Sequence, residues 1–207
     1  MSVVLHHHPY SRAASVVWML EEVGVPYELR YVDLMAGGQK SEGHRALNAM
    51  GKVPVLVDGD AVVSETAAIG VYLADRYSLG KLAPNLDDPA RGTWLRWAFY
   101  APSVLEPGCM AHAAKWEFRA GQAGWGTYES MLETLSAGLA PGPWLLGERF
   151  SMADVILGAT MRWMLRFGML EKRPEYLAYA ERLGQRPALL AADAVNAAVV
   201  AERGLAR

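Results

Sequence analysis

The sequence predicts a chain in two parts, a compact α/β unit followed by an all-helical one. Three observations carry that reading. Across residues 2–77 the apolar spacing switches repeatedly between a strand period and a helix period. Beyond residue 90 no strand is evident, and long segments are rich in Ala, Leu, Met and Trp. Between the two, residues 78–89 gather Gly80, Pro84, Asn85 and Pro89, the composition of a linker. The expected boundaries are 1–79 for the first domain, 80–89 for the linker and 90–207 for the second.

The elements follow in order. Residues 2–6 read as a short buried strand that stops at Pro9. From about Ser11, the residues Ala14, Val17, Trp18, Leu20 and Val23 recur at three- and four-residue spacing, and Gly24 sits where the helix should end. Residues 27–32 alternate as a half-exposed strand. A polar, Gly-rich stretch from Gly37 to Gly43 precedes a short helix expected over 44–50. Residues 53–57 and 61–63 read as a hairpin, with Asp58-Gly59-Asp60 as its turn. A helix over 65–77 closes the unit, giving the order β-α-β-α-β-β-α. Past the linker, helices are expected over 90–118, 122–139, 151–167, 174–184 and 187–202, with Pro141-Gly142-Pro143 as a break.

Composition narrows the function classes. The 207 residues are 52% hydrophobic and 20% charged, enough apolar material for a sizeable core and unlike a disordered chain. Lys+Arg 20 against Asp+Glu 22 leaves a net charge of -2, so no basic field for nucleic acid or anionic lipid is expected. No apolar run is long enough to suggest a membrane span. The N-terminal residues lead straight into a strand with no basic segment or cleavage site, so no signal peptide is expected. A single cysteine, Cys109, excludes an intramolecular disulfide framework and a multi-cysteine metal site, and with these features points to a reducing cytoplasm.

Three local features carry chemistry. Pro54 interrupts a strand-like run, which fits either an ordinary edge strand or a cis Val53-Pro54 bond. A cis bond there would turn the N–H and C=O of Val53 toward a cleft, where an extended peptide could pair with them. Ser64-Glu65-Thr66 precedes a helix. It is either a simple cap or a site where helix N–H groups and the Thr66 hydroxyl hold a carboxylate while Glu65 meets an ammonium. Pro9-Tyr10-Ser11-Arg12 joins the first strand to the first helix. Ser11 is a candidate N-cap there, and its hydroxyl with the helix N-terminus could lower the pKa of a bound thiol. In the run His6-His7-His8, strand geometry lets only His6 and His8 share a face, so a metal site is not expected. His8 is a candidate for lining the cleft.

These segments, in this order, resemble the cytosolic glutathione transferase family. Residues 9–28 are similar to that family's opening, and Asn48-Ala49-Met50-Gly51-Lys52-Val53-Pro54-Val55-Leu56 to its cis-proline segment. Ser64-Glu65-Thr66-Ala67-Ala68-Ile69 resembles its Glu-Ser-x-Ala-Ile stretch, with Thr66 in place of Ser. Phe150-Ser151-Met152-Ala153-Asp154-Val155 resembles its helical-domain cap, a folding element.

The resemblance implies a thioredoxin-like N-terminal domain, an all-α C-terminal domain and a cytoplasmic homodimer active in detoxification. It implies that Val53 pairs with the cysteinyl part of glutathione across the Pro54 bend, and that Glu65 and Thr66 hold the γ-glutamyl amine and carboxylate. Gln39 and Lys52 are implied for the glycyl carboxylate. Glutathione would be a cosubstrate, with no further cofactor and no metal. For thiol activation Ser11 and Tyr10 both remain open. The Cys-dependent branch is set aside, since Cys109 falls in the helical part. A small hydrophobic electrophile would meet the thiolate against the helical domain, where Trp97, Tyr100, Met110 and Trp116 are candidates. Conjugation is the expected reaction. A glutathione-dependent isomerase or a non-catalytic glutathione-binding protein is the alternative.

Overall fold

The computed structural model describes residues 3–205 and contains two compact units. One comprises the described residues up to Tyr77 together with those from Arg186 onward, and the other is Ser78–Gln185.

In the first unit the order is β1 (Val3–His7), α1 (Ala13–Val23), β2 (Tyr27–Tyr31), a 3-10 turn at Gly38–Lys40, α2 (Glu42–Leu47), β3 (Val55–Asp58), β4 (Ala61–Ser64) and α3 (Thr66–Tyr77). Ser2, at the predicted start of the first strand, lies outside the described residues. The sheet runs β2-β1-β3-β4, with β1 parallel to β2 and antiparallel to β3, and β3 antiparallel to β4. Leu5 and Leu56 pair across β1 and β3 and are fully buried, as are Val16, Val17, Leu20, Ile69 and Leu73 from α1 and α3. Gly24 ends α1 in the left-handed region at φ 70°, where its N–H reaches the Leu20 carbonyl, as the C-cap signal predicts.

Two details depart from local expectation. The hairpin turn closes over Gly59 and Asp60 alone, with Gly59 at φ 61°, because Asp58 stays in β3. The Asp58 carboxylate instead accepts from the hydroxyls of Tyr72 (2.8 Å) and Tyr77 (2.6 Å) and pairs with Arg76, tying the hairpin to the end of α3. The short helix expected over 44–50 starts earlier, at Glu42, because Ser41 caps it, its hydroxyl accepting from the His44 N–H.

Helix α9 (Pro187–Arg203) belongs to this same unit, whereas the boundaries drawn from sequence grouped residues 90–207 together. The reason is a set of polar contacts to α1 and β1. Arg186, just before α9, donates to both Glu22 carboxylate oxygens at 2.6 and 2.7 Å. The Asn196 amide donates to Ala14 O at 3.3 Å, and its oxygen lies 2.7 Å from His7 Nε2.

The second unit is helical: α4 (Ala90–Tyr100), a π-helical turn at Ala101–Leu105, α5 (Glu106–Ala113), α6 (Tyr128–Leu139), α7 (Met152–Arg166) and α8 (Pro174–Gly184). The single helix expected over 90–118 is divided because Pro102 and Pro107 each lack a donor for the α-helical ladder. The segment expected to be helical from residue 122 becomes so only at Tyr128, where Thr127 caps the start. Asp154 organises the head of α7. Its carboxylate accepts from the N–H groups of Leu145 (2.8 Å) and Ser151 (2.9 Å), the Ser151 hydroxyl (3.0 Å) and the Tyr179 hydroxyl (2.9 Å). Among the described residues no helix is long and apolar enough to cross a membrane.

Candidate active site

Strand register brings the three chemical segments together. His6 on β1 pairs with Val55 on β3, which in turn pairs with Ser64 on β4. Neighbouring strands lie about 4.8 Å apart. Continuing past that row, β1 runs on into residues 8–12, β3 is preceded by Lys52, Val53 and Pro54, and β4 leads into Glu65 and Thr66. All three therefore leave the sheet at the same end.

Ser11 stands just before α1, which begins at Ala13 with Arg12 as its flanking residue. The Ser11 hydroxyl oxygen accepts from the Ala13 N–H at 3.1 Å, so it does serve the exposed helix start, one position earlier than a standard cap. Its own hydrogen goes to the His8 carbonyl at 2.8 Å, which also receives the Ser11 N–H at 3.1 Å. Tyr10 is 38% exposed, and its N–H donates to His8 Nδ1 at 3.1 Å.

His8 is buried between the rings of Tyr10 and Tyr31, and its imidazole supports the turn from inside. Burial lowers its pKa, against an opposing pull from Asp33. The three adjacent histidines have different partners: His6 lies against the His44 ring at 5.4 Å and His7 bonds Asn196. Among the described residues no group of three or more His, Cys, Asp or Glu is arranged to hold a metal ion.

The Val53-Pro54 bond is cis, and among the described residues no main-chain group bonds the N–H or C=O of Val53. Glu65 is exposed and takes φ 69°, a left-handed conformation that costs a non-glycine residue about 1 kcal/mol or more. It precedes Thr66, the first residue of α3, where unsatisfied helix N–H groups favour an anion. Gln39 lies on the 3-10 turn. Its amide reaches Leu34 O at 3.4 Å, while its oxygen is buried without a partner among the described residues. The Lys52 side chain is exposed.

Cys109 is fully buried in α5, and burial pushes its thiol up to about 12, which leaves it protonated and inert. Trp97 and Tyr100 are buried in the core of the helical unit, where the Tyr100 hydroxyl donates to Met131 O at 3.1 Å, so those two candidates serve packing. Met110 and Trp116 are exposed.

Sequence reasoning assigned no role to His44 and did not single out Asn48 for one. Both donate to the Lys52 carbonyl, His44 Nε2 at 2.9 Å and Asn48 Nδ2 at 3.1 Å. Neither has a periodic signature. The one available signal was two polar residues placed where a helix gives way to a Gly-bearing turn.

Comparison with known proteins finds two family matches along the chain. Residues 1–75 match the N-terminal domain family of glutathione S-transferases, and residues 67–191 match the C-terminal domain family. The chain is 31% identical over 192 residues to glutathione S-transferase 3 of Zea mays, covering 84% of each protein. A crystallised glutathione transferase from Methylococcus capsulatus is similar at 29% identity and a TM-score of 0.76, over 94% of this chain and 98% of that one. The Ure2p6 transferase of Phanerochaete chrysosporium, solved with oxidized glutathione, shares the fold at 22% identity and a TM-score of 0.78, over 96% and 97% of the two chains.

Proposed function

The chain belongs to the glutathione S-transferase family and is a glutathione transferase; from that premise we propose that it joins the glutathione sulfur to a small hydrophobic electrophile, with Ser11 holding the thiolate. The observation that carries the reading is the alignment of His6, Val55 and Ser64 across three strands, which delivers three complementary groups to one sheet end. The cis-Pro54 segment offers an unpaired N–H and C=O to the cysteinyl part. Thr66 and the start of α3 suit the γ-glutamyl carboxylate, with Glu65 for its ammonium, and Lys52 and Gln39 are the partners proposed for the glycyl carboxylate.

In the reaction the glutathione thiol releases its proton to solvent, and the Ser11 hydroxyl donates to the sulfur anion. The sulfur then attacks an electrophilic carbon. A carbon–sulfur bond forms, and the bond to the leaving group breaks with its electron pair. The anion is favoured by the hydroxyl and by the N-terminal dipole of α1. Tyr10 is the second reading for this donor, favoured by the exposure of its phenol. We place the enzyme in the cytoplasm, in detoxification, and as a homodimer, an assembly that light scattering of the purified protein tests directly.

The functional test is turnover of glutathione with a chloronitrobenzene and a panel of other electrophiles. Conjugate is expected above the uncatalysed rate. Tight glutathione binding with no turnover on any electrophile would replace conjugation with a binding role or with isomerisation.

A further inference from the structure

The segment that presents Val53 is held from behind by two side chains that do not belong to it. Asn48 follows the last residue of α2; its carbonyl accepts from the Gly51 N–H (2.8 Å) and its side-chain oxygen from the Met50 N–H (3.1 Å). This fixes a tight turn. Gly51 sits in it at φ 59°, with the Gln39 carbonyl so close that a Cβ would lie 2.8 Å from its oxygen, so only glycine fits. The turn delivers Lys52 with its carbonyl facing inward, where His44 Nε2 and Asn48 Nδ2 both reach it. His44 is 5% and Asn48 8% exposed. A carbonyl oxygen only accepts, so His44 carries its hydrogen on Nε2. The His44 ring lies against His6 of β1, tilted by 56°, which leaves little room for it to turn away.

The Lys52 C=O and the Val53 N–H belong to one planar peptide unit, and in a trans unit they point in opposite directions. Fixing the oxygen therefore fixes the direction of the N–H. Two donors on the oxygen also polarise the unit, making the N–H a stronger donor. We propose that His44 and Asn48 are positioning residues for glutathione, aiming and strengthening the Val53 N–H toward the cysteinyl carbonyl through the peptide unit they grip. The inference rests on the reading that Val53 pairs with the cysteinyl part of glutathione.

A chemical double-mutant cycle separates the two claims. S-methylglutathione is compared by calorimetry with its thioamide analogue, in which sulfur replaces the cysteinyl carbonyl oxygen and accepts poorly. The parent should bind the thioamide about tenfold more weakly, the worth of one good hydrogen bond. His44→Phe keeps an aromatic ring and removes the donor. It should lose about tenfold in affinity for S-methylglutathione and no longer distinguish the two ligands. His44→Gln restores a donor and should recover most of the discrimination. Asn48→Asp keeps the acceptor for Met50 and loses the donor, so it should behave like His44→Phe and carries the test should that variant not fold. A folded His44→Phe or Asn48→Asp protein that still discriminates tenfold overturns the positioning role. A parent that does not discriminate overturns the Val53 pairing itself, and the inference with it.

Discussion

Ser11→Ala tests the proposed chemistry most directly, and the structure sets its size. In the free protein the hydroxyl hydrogen is on the His8 carbonyl at 2.8 Å. A hydroxyl has one hydrogen, so donating to a thiolate means leaving that carbonyl. The loss is small, because the Ser11 N–H continues to donate to the same oxygen at 3.1 Å. A hydrogen bond to a charged group is worth about 1.5–3 kcal/mol and the neutral bond given up about 0.5–1.5. From the middle of each range the net gain is about 1.3 kcal/mol, or roughly one pKa unit. From the ordinary thiol value of about 8.5, the bound thiol should ionise about one unit lower than it does in the variant.

The assay is the ultraviolet absorbance of the thiolate in the enzyme–glutathione complex, titrated with pH alongside the conjugation rate. Ser11→Ala should raise the thiol pKa by about one unit and slow turnover about tenfold near neutrality, with the gap closing at alkaline pH where both forms are ionised. The glutathione KM should change little. The Ala13 N–H loses its acceptor, so a stability loss of about 0.5–1 kcal/mol is expected alongside and is read from a denaturant melt. An unchanged thiol pKa in Ser11→Ala, with the one-unit rise found in Tyr10→Phe, would refute the argument and give the role to the phenol.

Other outcomes follow from the same geometry. Glu65→Gly removes a side chain from a φ of 69°, so chemical denaturation should show stability unchanged or raised by up to about 1 kcal/mol, while calorimetry shows glutathione affinity down at least about tenfold; a less stable variant that binds normally would contradict this. Asp154→Ala strands four donors around a buried carboxylate and should cost about 3 kcal/mol or more in a urea melt, a loss under about 1 kcal/mol being incompatible with that account. His6 is lowered to about 4, first by burial and then by Arg30 and His44, whereas the unfolded chain takes up its proton near 6.5. The unfolded state therefore binds more protons between about pH 6.5 and about 4, and stability should fall as pH drops through that window, by on the order of 1–2 kcal/mol after discounting for solvent screening. His6→Leu should flatten the slope, and an equally steep slope in that variant would assign it to other groups.

The sequence was legible where the physics is local. Gly24 marked the end of α1, the hairpin was plain from its alternation and turn, and the helix read from residue 65 begins one residue later at Thr66, because each depends on a few neighbouring residues. Pro54 was visible as an anomaly, and the family resemblance turned that anomaly toward a cis bond. The supports were not legible. Asp58 reaches Tyr77 across 19 residues and His7 reaches Asn196 across 189, and such pairings leave no mark on local spacing. The same limit hid the place of α9. Its apolar residues repeat as those of any surface helix do, and what ties it to α1 is Arg186 on Glu22 and Asn196 on Ala14. Trp97 and Tyr100 were ambiguous for a related reason: helical spacing shows that a face is apolar and leaves open whether it faces a core or a pocket.

The histidine run at the end of β1 follows from where that strand goes. Val3 and Leu5 are buried in apolar surroundings, whereas the three buried residues that follow meet polar neighbours, His44 of α2, Asn196 of α9 and the turn at Tyr10. A neutral imidazole offers one donor and one acceptor on a rigid ring. His8 uses its acceptor on the Tyr10 N–H, His7 bonds Asn196, and His6 packs against His44, which donates to Lys52. Burial lowers the pKa of all three, keeping them uncharged at neutral pH. Lysine or arginine in these positions would bring a charge beneath the turn that carries Ser11, stabilising a thiolate without regard to where its sulfur sits. With neutral supports, the two groups proposed to act on the sulfur, the α1 N-terminus and the Ser11 hydroxyl, are both directional. On that proposal the thiolate is stabilised best where its sulfur meets both groups, which is the position proposed for attack.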